Sequence, residues 1–158
     1  MWQNSGTVAS LHLHPAQGGE SMRAVESIEL VAEMGIVGNG RYFGRTSRNT
    51  GLPSKRQVTL MGREQIAEHG AVLGLPKISP GTVRSNMETE GVDLVALIGH
   101  QVQVGGAVLF FYEGRKPCEK MDRICPGLRA LMEDNRQGVL AQVLRSGTIR
   151  IGDGIKPL

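Results

Sequence analysis

Gln101-Val102-Gln103-Val104-Gly105-Gly106-Ala107-Val108-Leu109-Phe110-Phe111-Tyr112 is the stretch on which the reading of the fold turns. It consists of two strand-like pieces joined by a glycine pair, and such a pair inside a strand pattern marks a bulge or a bend in a curved sheet. The wall of a barrel has this character. Working outward, Val139 to Leu144 and Thr148 to Ile151 are expected to form a hairpin around Ser146-Gly147. Upstream of the stretch, Pro80-Gly81 turns the chain into Thr82 to Thr89, where alternation assigns Thr82, Arg84, Asn86 and Glu88 to one strand face. Arg56 to Met61 is a further short strand, and Thr7 to Leu13 and Ala24 to Val31 are two more. Helical signals are few. Ile66, Ala67, Val72 and Leu73 place a helix over Gly62 to Leu73, ended by Gly74 and Pro76. Short helical segments follow Pro117 and Pro126-Gly127. Between Gly35 and Gly51 the chain carries Arg41, Arg45 and Arg48 and no acidic residue, and reads as a long loop.

Composition agrees with a mainly β protein. Twenty-two glycines against three Phe, two Tyr and one Trp imply many tight turns between short elements, as in a barrel or sandwich. At 158 residues the chain fits a single domain over 1–158, and 40% hydrophobic with 21% charged residues predicts autonomous folding. A formal charge of +3 does not imply general polyanion binding, and six aromatics are too few for a base-stacking surface, so no nucleic-acid partner is expected. Met1-Trp2-Gln3-Asn4-Ser5-Gly6 lacks the pattern of a secretory leader, and no run approaches the ~18 apolar residues of a membrane span. A cytoplasmic protein with free thiols and no membrane partner is the expectation.

Cys118 lies in Arg115-Lys116-Pro117-Cys118-Glu119-Lys120-Met121-Asp122, where Arg115, Lys116 and Lys120 flank it and a proline precedes it at the start of a helical turn. Both features favour the thiolate, the form that attacks sulfur or carbon and ligates soft metals. The alternative is a small buried hydrophobe, the commonest state of a free cysteine. Cys125, between Ile124 and Pro126, reads as structural, with a resolving role left open; Cys-x6-Cys is not a zinc spacing. His12 and His14 share a strand face compatible with metal binding, although two imidazoles lack a third ligand. Arg84 and Asn86, with Arg41, Arg56 and the cations around Cys118, could surround a small anion such as a phosphate. The alternative is a solvated face with ion pairs to Glu88, Glu90 and Asp93.

Several segments, taken in order, resemble a known family: Gly35-Ile36-Val37-Gly38-Asn39-Gly40-Arg41-Tyr42, Arg56-Gln57-Val58-Thr59-Leu60, Pro80-Gly81-Thr82-Val83-Arg84-Ser85-Asn86, Gly91-Val92-Asp93-Leu94, Gly99, Pro117-Cys118 and Gly147-Thr148-Ile149-Arg150-Ile151-Gly152-Asp153. Together they are similar to the MOSC domain, named for the carboxy-terminal domain of molybdenum cofactor sulfurases. The resemblance implies a closed, mostly antiparallel β-barrel with a few short helices, related to the pyruvate-kinase barrel. It also implies a protein that handles molybdenum cofactor or activated sulfur, with Cys118 as the catalytic persulfide carrier or the metal ligand. Arg84 and Asn86 match the segment that helps hold the phosphorylated pterin in relatives, and Arg41 and Arg56 are looser candidates. Asn39 stands where relatives commonly have aspartate.

A desulfurase domain is not expected in these 158 residues, so the resemblance implies a sulfur donor or redox partner in trans, and no lysine has the context of a pyridoxal-phosphate Schiff base. Three functions remain: a sulfur transferase, a molybdenum-cofactor-dependent reductase of N-hydroxylated compounds, and a non-catalytic protein-binding barrel.

Overall fold

Alternation of apolar and polar residues favours short strands, which are spread along residues 5–158, the part described by this computed structural model. In order they are β1 (Gly6–Leu13), β2 (Arg23–Val25), β3 (Ser27–Val31), β4 (Gly35–Ile36), β5 (Val58–Gly62), α1 (Arg63–Leu73), β6 (Met87–Glu90), β7 (Gln101–Val104), β8 (Ala107–Gly114), α2 (Lys120–Ile124), α3 (Leu128–Leu131), β9 (Val139–Arg145), β10 (Gly147–Arg150) and β11 (Gly154–Pro157). Met1 to Asn4, part of the stretch behind the expectation of no leader, lie outside the described residues. No helix among those described is long and apolar enough to cross a membrane.

Seven of the described strands close a barrel in the order β11-β7-β8-β9-β5-β6-β1, sealed by the pairing of Gly6 and Thr7 with Ile155 and Gly154. β2 adds to the flank of β1, and β10, β3 and β4 form a separate small sheet. The barrel is mixed: β5 and β6 run parallel, and every other described neighbour pair is antiparallel. A parallel pair needs a crossover, and α1 lies on the connection that supplies it.

The period of two fills the interior. Val102, Val104, Leu109, Phe111, Val139, Ala141, Val143, Val58 and Leu60 are buried at alternate positions of four strands, with Leu109 opposite Val143 and Leu60 opposite both Val139 and Met87. Each large side chain buried in this way stabilises the fold by about 1.5–3 kcal/mol. Met61 belongs to a second apolar cluster with Ile66, Ile78, Val83, Met121, Leu128 and Met132, which packs the three helices outside the main core.

The closed, mostly antiparallel barrel agrees with expectation, and five local readings change. Gly105-Gly106 is the two-residue turn of a β7–β8 hairpin, Val104 pairing with Ala107. Curvature arises instead from register shifts of β8 against β9, at Val108/Leu109 and Phe111/Glu113. The strand expected over Ala24 to Val31 breaks at Glu26 into β2 and β3, which join different sheets. The 139–151 hairpin does not form: β9 pairs with β5 and β8, while β10 pairs with β3. Here Gly147 passes so close to the Gly106 carbonyl that any side chain at 147 would collide with it. β11 is an additional strand that no expectation covered.

Finally, Thr82 to Asn86 is not a strand. Ser79 and Gly81 carbonyls accept from the amides of Thr82 and Arg84, and Arg84 has φ 63°, so the chain turns and strand alternation ceases to apply. Arg84 and Asn86 consequently do not share a face.

Candidate functional site

The connections after β1, before β5, before β6 and after β8 converge on a cavity of about 260 Å3. A polar hub sets their relative positions. Asn86 accepts from the amide and hydroxyl of Thr59 (3.1 and 3.2 Å) and donates to the carbonyl of His12 (3.0 Å) and to Oδ1 of Asn39 (2.9 Å). The same Oδ1 accepts from the amide of His14 (2.8 Å). The asparagine at 39 therefore joins the residue before β6 to the segment after β1, and no hydrogen bond links it to an arginine among the described residues.

Gly40, at φ 53°, opens a short 3-10 turn, Gly40–Tyr42, that lies against the Pro15 carbonyl, where a Cβ at position 40 would clash. This contact brings Tyr42 onto His14, ring centroids 4.6 Å apart. Three guanidinium groups collect around the Tyr42 ring: Arg41 at 5.3 Å, Arg56 at 5.6 Å and Arg45 at 5.8 Å. Nη2 of Arg41 also donates to the Tyr42 hydroxyl (3.3 Å). Burial pushes that hydroxyl up, but the Arg41 hydrogen bond and the charges of Arg56, Arg41 and Lys120 outweigh it, and its pKa is lowered overall.

Arg115, at the end of β8, is the deepest cation. It is 7% exposed, and among the described residues its guanidinium donates to Ser85 Oγ (3.2 Å) and, at 3.4 Å, to the Val83 carbonyl. Burial first, then the charge of Arg56, holds its pKa down at about 10. The ion pairs among the described residues are Arg63–Glu88 and Arg123–Glu119, and neither involves a pocket cation. Arg41, Arg56, Arg84, Arg115 and Lys120 thus line one cavity on which no described carboxylate opens. Burying a charge without a counter-ion costs several kcal/mol. With Arg115 buried, Arg56 and Arg84 half-buried, and Arg41 and Lys120 exposed, the positive lining of the cavity attracts anions.

Cys118 lies on the wall of this cavity and is exposed. Its carbonyl accepts from the Met121 amide (3.1 Å) to start α2, and Met121, buried in the second apolar cluster, anchors the turn. The exposed thiol rules out the buried-hydrophobe alternative. Cys125 is half-buried against the same cluster, and both thiols are free.

Of the residues singled out from sequence, Cys118, Arg41, Arg56 and Arg84 meet at the cavity. Asn86 does not line it: at 1% exposure, its side chain is engaged with protein partners. Its position at the hub supports the pocket from behind. His12 and His14 also separate, since His12 Nδ1 bonds the Ser85 carbonyl (2.9 Å) while His14 faces the cavity. No cluster of three or more His, Cys, Asp or Glu among the described residues could hold a metal ion. Tyr42 escaped sequence reasoning, although an aromatic among Arg41, Arg45 and Arg48 was a usable signal.

The architecture defines a class: a small closed β-barrel domain carrying an exposed thiol at an arginine-lined cavity. Residues 32–156 match the family described as MOSC domain, and the chain belongs to that family. Among solved structures, it is similar to the YUAD protein from Bacillus subtilis, with TM-score 0.78 and 19% identity over 98% of this chain and 97% of that one. It is also similar to YiiM from Geobacillus stearothermophilus (TM-score 0.71, 15% identity, 97% and 75% covered). For YiiM from Escherichia coli the values are TM-score 0.67, 17% identity, and 100% and 70% covered. At these identities the likeness is one of fold. No curated protein is significantly similar in sequence.

Proposed function

We propose that this MOSC domain binds a small oxyanionic ligand in the arginine pocket and acts on it through Cys118, the ligand being molybdenum cofactor or an activated-sulfur species. The observation that carries this reading is Arg115, a buried guanidinium with no carboxylate partner among the described residues, which lines one cavity with four further cations. A non-catalytic barrel would leave that cost without purpose.

The residues fit the charged end of such a ligand. A cavity of about 260 Å3 lies below the ~300 Å3 at which pockets begin to enclose drug-sized molecules, so it suits a phosphate or sulfur oxyanion, with any larger body outside. Arg84, Arg115, Arg56 and Arg41 would hold the phosphate of molybdenum cofactor, and Cys118 offers the soft sulfur that molybdenum accepts. That cofactor, when bound, supplies a metal able to exchange oxygen, sulfur and electrons. Without it, Cys118 can carry sulfane sulfur as a persulfide, whose negative charge the neighbouring cations stabilise. Sulfur or electrons then come from a partner protein.

The test uses protein purified from a cofactor-producing host. Stoichiometric molybdenum, or cyanide-labile sulfur that disappears in Cys118→Ala, supports the proposal and separates its two forms. A protein with neither, no affinity for sulfate or phosphate, and a Cys118 inert to alkylation would overturn it.

A further inference from the structure

His14 is the one ionisable side chain in the pocket that titrates near neutral pH in ordinary surroundings and is neither a thiol nor a permanent cation. It is 9% exposed, its ring lies on Tyr42, and no hydrogen bond engages its ring nitrogens among the described residues. Buried imidazole nitrogens ordinarily find a partner. His12 and His69 each bond one ring nitrogen to a backbone carbonyl, Nε2 of His12 staying unpartnered inside the protein, whereas neither ring nitrogen of His14 is bonded and its side chain lines the cavity. In His14 that capacity is turned towards the cavity.

The charged groups around it come from every wall: Arg115 from the end of β8, Arg84 from the turn before β6, Arg56 from the approach to β5, Arg41 from the 3-10 turn and Lys120 from α2. Tyr42 and Cys118 complete the surroundings. Burial first and then the charges of Arg115, Arg84, Arg56 and Arg41 hold the imidazole down at about 3, so it is neutral. A doubly charged oxyanion reverses the second cause. It offsets the guanidinium charges and places negative oxygen where the ring nitrogen has no partner.

We infer that His14 is the proton-donating residue of this site: capture of a dianionic oxyanion by the arginines draws one proton from solvent onto its imidazole, which presents it to a ligand oxygen. No covalent bond is made or broken in this step; one proton leaves water or buffer and one imidazolium forms. Four arginines can hold a phosphate or sulfur oxyanion but at neutral pH have no proton to give, so a group leaving as an oxyanion or thiolate needs this acid. The inference rests on the anion-binding reading above.

Isothermal titration of the whole chain with sulfate, which has no titrating proton of its own near neutrality, tests it in buffers of different ionisation heat at about pH 6. Wild type is expected to take up protons on binding, the uptake approaching one per sulfate as the pH is lowered. His14→Gln is expected to show no uptake, and its sulfate affinity should no longer rise as the pH falls. In parallel, the His14 imidazole resonance of wild type should titrate at higher pH with sulfate present than without, a readout that needs no variant. Sulfate binding without proton uptake, or uptake retained in His14→Gln, overturns the inference and leaves the anion pocket standing. No sulfate binding by wild type overturns both.

Discussion

Arg115→Met removes the charge that the barrel buries without a carboxylate, and stability and binding should then move in opposite directions. A guanidinium held at about 10 instead of its ordinary 12.5 has its charged form disfavoured by roughly 3 kcal/mol. Methionine fills similar space and leaves little cavity. Against this gain stand the two hydrogen bonds to Ser85 Oγ and the Val83 carbonyl, at 3.2 and 3.4 Å, together worth about 1–2 kcal/mol. The net expectation is a stabilisation of about 1 kcal/mol, or a rise in Tm of roughly 2–4 °C for a domain of this size. Sulfate or phosphate, however, loses a charge-assisted donor worth about 1.5–3 kcal/mol, so affinity should fall ~10- to 100-fold. Thermal melts across a sulfate titration read both effects at once: the variant melts higher without the anion and gains less from it. A variant that melts several degrees lower and keeps the full sulfate-induced shift would refute the view of Arg115 as an anion-binding charge held at a cost to the fold.

Acid sensitivity provides another check. Because the folded-state pKa of His14 is depressed to about 3, the unfolded chain binds this proton first, and stability should fall as pH drops from 6.5 towards 3 by at most about 4 kcal/mol. Urea denaturation of wild type and His14→Gln at several pH values should show a shallower loss in the variant; parallel curves would contradict the assignment. Asn86→Ala cuts four side-chain hydrogen bonds at a buried hub and should cost about 2–4 kcal/mol in chemical denaturation, a loss below 1 kcal/mol arguing against the hub. Gly147→Ala drives a Cβ into the Gly106 carbonyl and should destabilise by about 3 kcal/mol or prevent folding; a wild-type melting curve would show that the crossing is looser than described. Cys118→Ala, at an exposed position, should change stability by less than about 0.5 kcal/mol, and mass spectrometry should show an alkylating reagent adding at this position in wild type and not in the variant.

Local alternation made the strand content legible, and the ordered motifs made the barrel legible. β7, β8, β9 and α1 stand within a residue or two of their expected positions because their own periodicities decide them. The pairing of β10 with β3 was not legible, since it depends on a backbone crossing at Gly106 and Gly147 that no local pattern encodes. The sharing of a face by Arg84 and Asn86 failed for a similar reason: positive φ at an arginine is imposed by tertiary contacts, and alternation presumes its absence. At the site, Cys118 and three of the four residues expected around an anion, namely Arg41, Arg56 and Arg84, were legible as residue types that meet at one cavity. Arg115 was visible only as one of the cations flanking the thiol, because its burial and its lack of a carboxylate are properties of assembly. His14 was paired with His12 by sequence spacing, whereas hydrogen bonding sends one inward to Ser85 and leaves the other facing the cavity.

The shelf beneath the thiol is built from unusual material. Three of the seven buried side chains in the cluster that carries α2 are methionines, Met61, Met121 and Met132, and Met121 also forms part of the cavity wall. Unbranched thioethers change rotamer with little penalty, so this support is deformable where the branched lining of the barrel interior is stiff. The thiol at position 118 therefore rides on a cushion that can resettle while the strands stay fixed. The same softness exposes the cushion to peroxide: a sulfoxide at Met121 would put a dipole into the packing that aims the neighbouring thiol.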